Sequence, residues 1–228
     1  MMHQYNQKFS TNTYFVDEID GRKRLLGRAT SRILEKLKTG GHSISKERIQ
    51  QEIIKGTIKM DYERERLVFR DVAGATNERT LISCIIPAKN FLANTLPYVE
   101  PFEVGIKDEN IIVQELIGDH IYYIQALFNS FVLDYYVRQR VTSHLNFFFV
   151  YELPIPEVNK ELESIIIDMS KHLINNNDVN LRARLESTIA REVFGLNFAE
   201  MGIILDSFIY GNVDKELTDK ILEEMQHN

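Results

Sequence analysis

The spacing of apolar and polar residues predicts a chain that is rich in helices. The clearest pattern is an apolar stripe with alternating spacings of three and four residues, formed by Ile121, Ile124, Phe128, Phe131 and Tyr135. This spacing predicts one inward-packing helix over residues 120–138. Weaker patterns with good end signals predict further helices over residues 28–38, 45–55, 158–174, 178–194, 198–208 and 214–226.

Local end signals support several of these helices. Ser45 is a suitable N-cap for the helix over residues 45–55. Asn197 and Glu200 have the spacing of a capping box, and Gly195 suits the end of the preceding helix.

Short apolar runs between turn residues predict the strands. All five prolines lie between residues 87 and 156, so long helices are expected outside this region or between its prolines. Strands over residues 67–72 and 80–86 flank the polar loop 73–79, and a hairpin is predicted over residues 102–106 and 111–114. The aromatic run Phe147, Phe148 and Phe149 predicts a buried strand over residues 144–151.

These elements together predict an α+β fold. We expect a mixed or antiparallel sheet domain with a packed central helix over residues 1–156, followed by a helical C-terminal part over residues 157–228. A chain of 228 residues can build its own hydrophobic core, so disulfides are not needed. The single cysteine, Cys84, lies in an apolar run and is expected to be a small buried residue.

Two further features indicate where the protein resides. No stretch approaches the roughly 18 consecutive apolar residues of a membrane span. The N-terminus shows no apolar segment typical of a signal peptide. A cytoplasmic protein without membrane contact is therefore expected.

The net charge of −6 hides an uneven distribution along the chain. Residues 1–80 contain 16 Lys and Arg against 11 Asp and Glu, a net charge of +5. Residues 81–228 contain 11 basic and 22 acidic side chains, a net charge of −11. The N-terminal part is thus the one suited to a polyanion such as nucleic acid, although an ordinary solvated surface has the same composition.

Motifs for catalysis are not found in the sequence. It contains neither a glycine-rich cofactor loop nor the Asn/Asp-Pro-Pro-aromatic tetrad with which methyltransferases act on exocyclic amines. The six histidines show no metal-ligand spacing with each other or with Cys84, and no nucleophile and base can be paired. We therefore expect no metal, no bound cofactor and no catalysis by this chain alone.

Several sequence motifs, taken in order, suggest a family. They are FRDVA (residues 69–73), TNERT (76–80), NTLP (94–97), LFNSFVLDY (127–135), HLNFF (144–148), LPIP (153–156) and ILDSF (204–208). In this order they resemble the C-terminal specificity region of TaqI-like adenine-specific DNA methyltransferases, which include fused restriction-modification enzymes and methylases of phage-defence systems. The resemblance covers most of the chain.

The resemblance implies a target-recognition domain that faces a catalytic domain across a DNA cleft while the target adenine is flipped out. Its implied partners are double-stranded DNA and a methyltransferase catalytic domain, which is either in the same chain or the product of a split gene. S-adenosylmethionine is expected in that missing catalytic domain. The candidate DNA-contacting residues are Arg24, Arg28, Arg70, Thr76, Asn77, Arg79, Thr80, Arg138, Arg140 and His144.

Each group of candidates also has a structural interpretation. Glu78 could pair with Arg79 or Arg70 in a network that only fixes the loop. The cations Arg138, Arg140 and His144 could stabilise the end of the predicted helix through its dipole. The basic cluster at residues 22–28 could be a solvated face, in which case no DNA contact follows from it.

The function hypothesis is sequence-specific recognition of duplex DNA on behalf of an adenine methyltransferase. An alternative from another class is a protein-interaction module of a defence complex, with the acidic C-terminal helices docking a partner. A third possibility, an autonomous enzyme, is disfavoured because the catalytic motifs are missing.

Overall fold

The computed structural model describes residues 4–5, 16–74, 77–92, 95–115, 118–141, 143–208 and 214–226. Its helices are α1 (Glu18–Thr39), α2 (Lys46–Lys55), α3 (His120–Phe128), α4 (Phe131–Arg138), α5 (Phe147–Tyr151), α6 (Lys160–Leu173), α7 (Val179–Thr188), α8 (Phe198–Asp206) and α9 (Lys215–Gln226). Its strands are β1 (Arg66–Phe69), β2 (Ser83–Ile86), β3 (Phe102–Lys107) and β4 (Asn110–Glu115). The predicted α+β fold is confirmed. In the described ranges no helix is both long and apolar enough to cross a membrane.

The strands form two separate antiparallel pairs. β1 pairs with β2 so that Val68 lies opposite Cys84. β3 pairs with β4 so that Val104 lies opposite Val113, as the predicted hairpin over residues 102–114 requires. Tyr98 forms one further bridge with Val68.

The N-terminal helices pack on the second strand pair. Ile33 and Leu37 of α1 share a buried cluster with Ile49 and Ile53 of α2. Val104 and Val113 of the β3–β4 hairpin pack against this cluster. The result is a small core that places α1 beside the hairpin.

A larger core joins the first strand pair to the helices that follow it. Leu67 and Phe69 of β1 share this cluster with Ile166 of α6 and Leu185 of α7. Because these residues come from both sides of residue 156, the predicted boundary at 156 runs through one core, and the two-domain division stays a prediction. A third cluster joins α4, α8 and α9 through Phe131, Leu205 and Ile221, among others.

Three of the predicted helix ends are confirmed in atomic detail. The Ser45 hydroxyl accepts a hydrogen bond from the Arg48 amide at 3.2 Å at the start of α2. Asn197 and Glu200 form the reciprocal capping box of α8. The π-helical turn Ile189–Val193 continues α7, and Gly195 follows it with a φ of +67°, a left-handed conformation that suits the end of a helix and that glycine adopts without strain.

The N-terminal helix is longer than predicted. The sequence indicated residues 28–38, whereas α1 runs from Glu18 to Thr39. The carboxylate of Asp17 accepts hydrogen bonds from the amides of Ile19 at 3.0 Å and Asp20 at 3.1 Å, so this residue caps the start. The prediction missed this cap because charged residues follow it.

The single helix predicted over residues 120–138 is wrong, because the chain breaks between α3 and α4. Ser130 leaves the helical conformation and its hydroxyl accepts a hydrogen bond from the Leu133 amide at 3.2 Å, so it is the N-cap of α4. The side chain of Asn129 pairs with Ser83 of β2. The apolar spacing continues across this break, which is why periodicity did not reveal it.

The buried strand predicted over residues 144–151 is also wrong. Asn146 accepts a hydrogen bond from the Phe148 amide at 3.0 Å and starts the short helix α5. Phe148 and Tyr151 are 64 % and 81 % exposed. Phe147 and Phe148 of the aromatic run are therefore exposed, whereas Phe149 packs against the large core.

The strand predicted over residues 80–86 is shorter than expected. The amides of Thr80 and Leu81 donate to the carboxylate of Asp134 at 3.1 and 3.2 Å instead of to a neighbouring strand. β2 therefore begins at Ser83.

Candidate nucleic-acid interface and its buried support

The carboxylate of Asp134 is the centre of a buried polar network. Asp134 is 0 % exposed and accepts a hydrogen bond from Nε of Arg79 at 2.5 Å. It also accepts hydrogen bonds from the backbone amides of Thr80 and Leu81. A buried charge is tolerated only when it is paired and hydrogen-bonded, and both conditions are met here. Asp134 thus ties the loop before β2 to helix α4.

Arg79 completes this arrangement with its other groups. Its Nη2 donates to the backbone carbonyl of Asn129 at 2.7 Å, and its guanidinium carbon lies 4.1 Å from the ring centroid of Phe131. Arg79 as a whole residue is 7 % exposed. The hydroxyl of the fully buried Thr80 donates to the carbonyl of Gly74 at 3.0 Å. Arg79 and Thr80 therefore point into the protein and support the loop.

The amide of Asn129 joins this loop to the first strand pair. Its Oδ1 accepts hydrogen bonds from the Ser83 amide at 2.9 Å and the Ser83 hydroxyl at 3.1 Å. Its Nδ2 donates to the Ser83 carbonyl at 3.1 Å. Every polar group of Ser83 is thus paired with one side chain, which fixes the break between α3 and α4 on β2.

A second buried carboxylate extends the network to α7. Glu186 accepts hydrogen bonds from the amide of Phe131 at 2.9 Å and from Nη2 of Arg182 at 2.8 Å. Arg182 also donates to the Asn129 carbonyl at 2.8 Å and lies over the ring of Tyr5. Burial raises the pKa of Tyr5 to about 12. The start of the described chain is thereby tied to the same network.

The candidates Arg70, Asn77 and Arg138 lie at the edge of this network. Arg138 donates to the carbonyls of Asn77 and Glu78, the latter at 2.5 Å, and lies 4.1 Å from the ring centroid of Phe208. Arg70 donates to the Arg79 carbonyl at 2.7 Å. Burial lowers the pKa of both Arg70 and Arg138.

The loop-fixing network considered from the sequence is therefore present, but Asp134 rather than Glu78 is its anion. Among the described residues, neither the side-chain amide of the half-buried Asn77 nor the carboxylate of the exposed Glu78 has a hydrogen-bond partner, so both still present a polar group at this loop. Thr76 lies outside the described residues.

Arg140 and His144 lie on the accessible side between α4 and α5. Arg140 stacks 4.0 Å over the ring of Tyr136 and lies 3.8 Å from a carboxylate oxygen of Glu152. His144 Nδ1 lies 3.5 Å from Asp71 Oδ2. Both side chains are about half exposed and can reach an external anion.

Helix α1 carries the remaining candidates on a different surface. Arg24 and Arg28 are exposed and lie one turn apart. Within the described ranges no carboxylate forms an ion pair with either of them. By contrast, Arg22, which lies on the same helix, forms an ion pair with Glu63 at 2.6 Å. The two arginines therefore form a surface of uncompensated positive charge, which we call the α1 arginine face.

This face borders a cleft of about 330 Å³. Arg24, Arg28, Arg32 and Arg66 line it together with apolar side chains that include Phe91. A Cβ on Gly21 would lie 2.4 Å from the Phe91 ring, so only glycine allows this ring to pack so closely on α1.

The site residues thus fall into three places. Five of them (Arg70, Asn77, Arg79, Thr80 and Arg138) belong to the network around Asp134, two (Arg140 and His144) lie between α4 and α5, and two (Arg24 and Arg28) lie on α1. Sequence reasoning missed Asp134, Asn129 and Glu186 as the anchors. For Asn129 and Asp134 the one signal is a polar residue within the apolar stretch LFNSFVLDY at residues 127–135, whereas Glu186 lies in a polar stretch and has no such signal.

Comparison with known proteins identifies no relative of this chain. Family models, curated proteins and solved structures all give no match to the chain. The contacts and exposure of its own residues are therefore the basis for a functional proposal.

Proposed function

We propose that this chain binds duplex DNA as the target-recognition domain of an adenine-specific DNA methyltransferase, with the α1 arginine face on the phosphate backbone. The observation that carries the proposal is that Arg24 and Arg28 are exposed, adjacent and free of carboxylate partners within the described ranges. Arginine binds phosphate through several donors in a fixed plane. Phosphate contacts set the position of a protein on DNA without reading its sequence.

The charge distribution supports this surface over others. The net charge of +5 lies within residues 1–80, which contain α1, whereas the rest of the chain is acidic. An acidic remainder repels DNA, so it favours docking through the basic end.

Base readout is assigned to segments beside the α1 arginine face. Arg79 and Thr80 are buried and held by Asp134, so we leave them out of the proposed readout surface. The segments 59–66 and 89–92 both contribute residues to the cleft that this face borders. Lys59 and Lys89 are exposed in them and have the chemistry to contact guanine in the major groove.

Methyl transfer is proposed to occur in a separate catalytic domain, in the same polypeptide or in a split-gene partner. That domain would supply the S-adenosylmethionine site, for which this sequence contains no loop. Calorimetric titration of the chain with S-adenosylmethionine is expected to show no binding, and micromolar binding would contradict this division of roles.

The proposal is tested by titrating a labelled duplex of mixed sequence at several salt concentrations. We expect weak binding that falls steeply between about 50 and 200 mM salt, because released counterions drive it. Arg24→Ala and Arg28→Ala should each reduce the slope of log affinity against log salt by about 0.9 on every duplex.

Arg184→Ala is the matched control. Arg184 is an exposed arginine of α7 outside the basic end, and its removal changes the net charge by the same amount. An unchanged slope in Arg28→Ala, or equal effects of Arg28→Ala and Arg184→Ala, would refute the α1 arginine face as the DNA surface.

A second candidate function is a protein-interaction module. The observation that favours it is a set of exposed apolar side chains around α5, namely Val72, Phe147, Phe148 and Tyr151. Val72 is brought there by its bridge to His144. Exposed apolar clusters of this kind mark protein contacts. A chain that binds no duplex even at low salt supports this function over the first.

A further inference from the structure

We propose that the cleft beside α1 binds a small organic anion with a flat aromatic body and a phosphate or carboxylate group. This goes beyond duplex binding, because the apolar wall of the cleft is not part of the proposed duplex surface. The cleft volume of about 330 Å³ falls at the lower end of the range of small-molecule sites.

The charged side chains that line the cleft favour the binding of an anion. Four arginines and one aspartate, Asp61, line it. Arg32 is already paired with Asp61, so the positive charges of Arg24, Arg28 and Arg66 are not compensated by the lining residues.

Arg66 provides a donor that has no partner. Its side chain is 3 % exposed, its Nη2 donates to the Asn90 carbonyl at 2.5 Å, and it lies over the ring of Tyr98. Its Nε is buried and has no hydrogen-bond partner among the described residues. The guanidinium of Arg66 is thus held in the cleft wall without a paired carboxylate, and its positive charge favours an anion in the cleft.

The other walls fit an aromatic body. Leu25, Phe91 and Leu92 supply apolar surface to the cleft. Phe91 is held in place, because it stacks on Tyr62 with ring centroids 4.7 Å apart and packs against Gly21. The apolar wall is therefore preformed, and binding does not have to order it.

Calorimetric titration of the full chain with four probes tests the ligand chemistry. We expect 1-naphthyl phosphate or 1-naphthoate to bind at least about tenfold more tightly than 1-naphthol, which lacks the charge, and than inorganic phosphate, which lacks the ring. Whichever of these two anions binds more tightly shows whether the cleft prefers a phosphate or a carboxylate group. Equal binding of inorganic phosphate, or no binding of either aromatic anion, overturns the proposal.

A pair of substitutions on α1 locates the site. Ala29 lines the cleft, so Ala29→Phe fills it and should abolish binding of the preferred probe. Ser31 is exposed on the same helix and does not line the cleft, so Ser31→Phe should leave binding unchanged. Probe binding that survives in Ala29→Phe overturns the proposal.

A separate variant and a separate readout keep the result clear. If thermal melting shows that Ala29→Phe is unfolded, Arg28→Gln takes its place. Arg28→Gln should lower the affinity for the aromatic anion by at least about tenfold. An unchanged affinity again overturns the proposal. Duplex binding should persist in Ala29→Phe, so loss of the probe site is distinguishable from failure of the proposed DNA surface.

Discussion

Replacing Asp134 by alanine should be the most destabilising change in the network that supports the loop before β2. It leaves the buried guanidinium of Arg79 without its anion, and breaking a buried ion pair costs about 3–5 kcal/mol. It also leaves the buried amides of Thr80 and Leu81 unpaired, at about 1–3 kcal/mol each. Since neighbouring contributions are not additive, we expect a loss of about 5 kcal/mol in the free energy of unfolding.

Thermal and urea unfolding monitored by circular dichroism measure this loss. For a chain of this size, about 5 kcal/mol corresponds to a fall in Tm of roughly 10–20 °C. Asp134→Asn keeps an acceptor without the charge and should lie between wild type and Asp134→Ala. Asp168→Ala, an exposed position on α6, should stay within about 0.5 kcal/mol of wild type. A loss below about 1 kcal/mol in Asp134→Ala would refute the assignment of Asp134 as the anchor of the network.

Three further outcomes follow from burial and pairing. Burial raises the pKa of the Cys84 thiol to about 12, so a disulfide reagent at pH 8 should modify it only after unfolding; rapid stoichiometric reaction of the native chain would contradict its burial. Burial also raises the pKa of Tyr5 and Tyr123 from 10.0 to about 12. The folded state keeps protons that the unfolded state releases above pH 10, so the urea midpoint should fall between pH 10 and 12, and a constant midpoint would count against this. Arg79→Ala should lower Tm, whereas Arg28→Ala should leave Tm unchanged and weaken duplex binding. If instead Arg79→Ala weakened duplex binding without lowering Tm, Arg79 would be a DNA-contacting residue.

Local signals in the sequence were sufficient for several elements and insufficient where distant residues decide. The caps at Ser45 and Asn197 and the β3–β4 hairpin depend on neighbours within a few residues, so the sequence predicted them. The break at Asn129 and Ser130 interrupts no apolar spacing, and it is stabilised by Ser83, which is 46 residues away. Patterns of spacing do not contain that information.

The candidate site shows the same limit. Arg79 looks like a base reader because arginine in a polar loop has the right donors for guanine. Its actual partner, Asp134, is 55 residues away on another element. The basic character of α1 was visible in the sequence, but the absence of partners for Arg24 and Arg28 in the described ranges was visible only once the carboxylates were placed.

Helix α1 divides its cations between two roles. Arg22, Arg32 and Lys36 each form an ion pair, with Glu63, Asp61 and Glu100 respectively. Partly exposed pairs of this kind contribute little stability, about 0–1 kcal/mol each. Their main consequence is geometric, because together they hold α1 against the segment before β1 and the segment before β3.

Arg24 and Arg28 continue the same stripe towards the start of the helix, because Arg24, Arg28 and Arg32 are spaced by four residues and line one cleft. Among the described residues no carboxylate forms an ion pair with Arg24 or Arg28. Uncompensated positive charge raises the local potential and draws anions to this surface. The paired cations therefore orient the helix, and the unpaired ones supply the charge that the proposed DNA surface and the proposed ligand cleft both use.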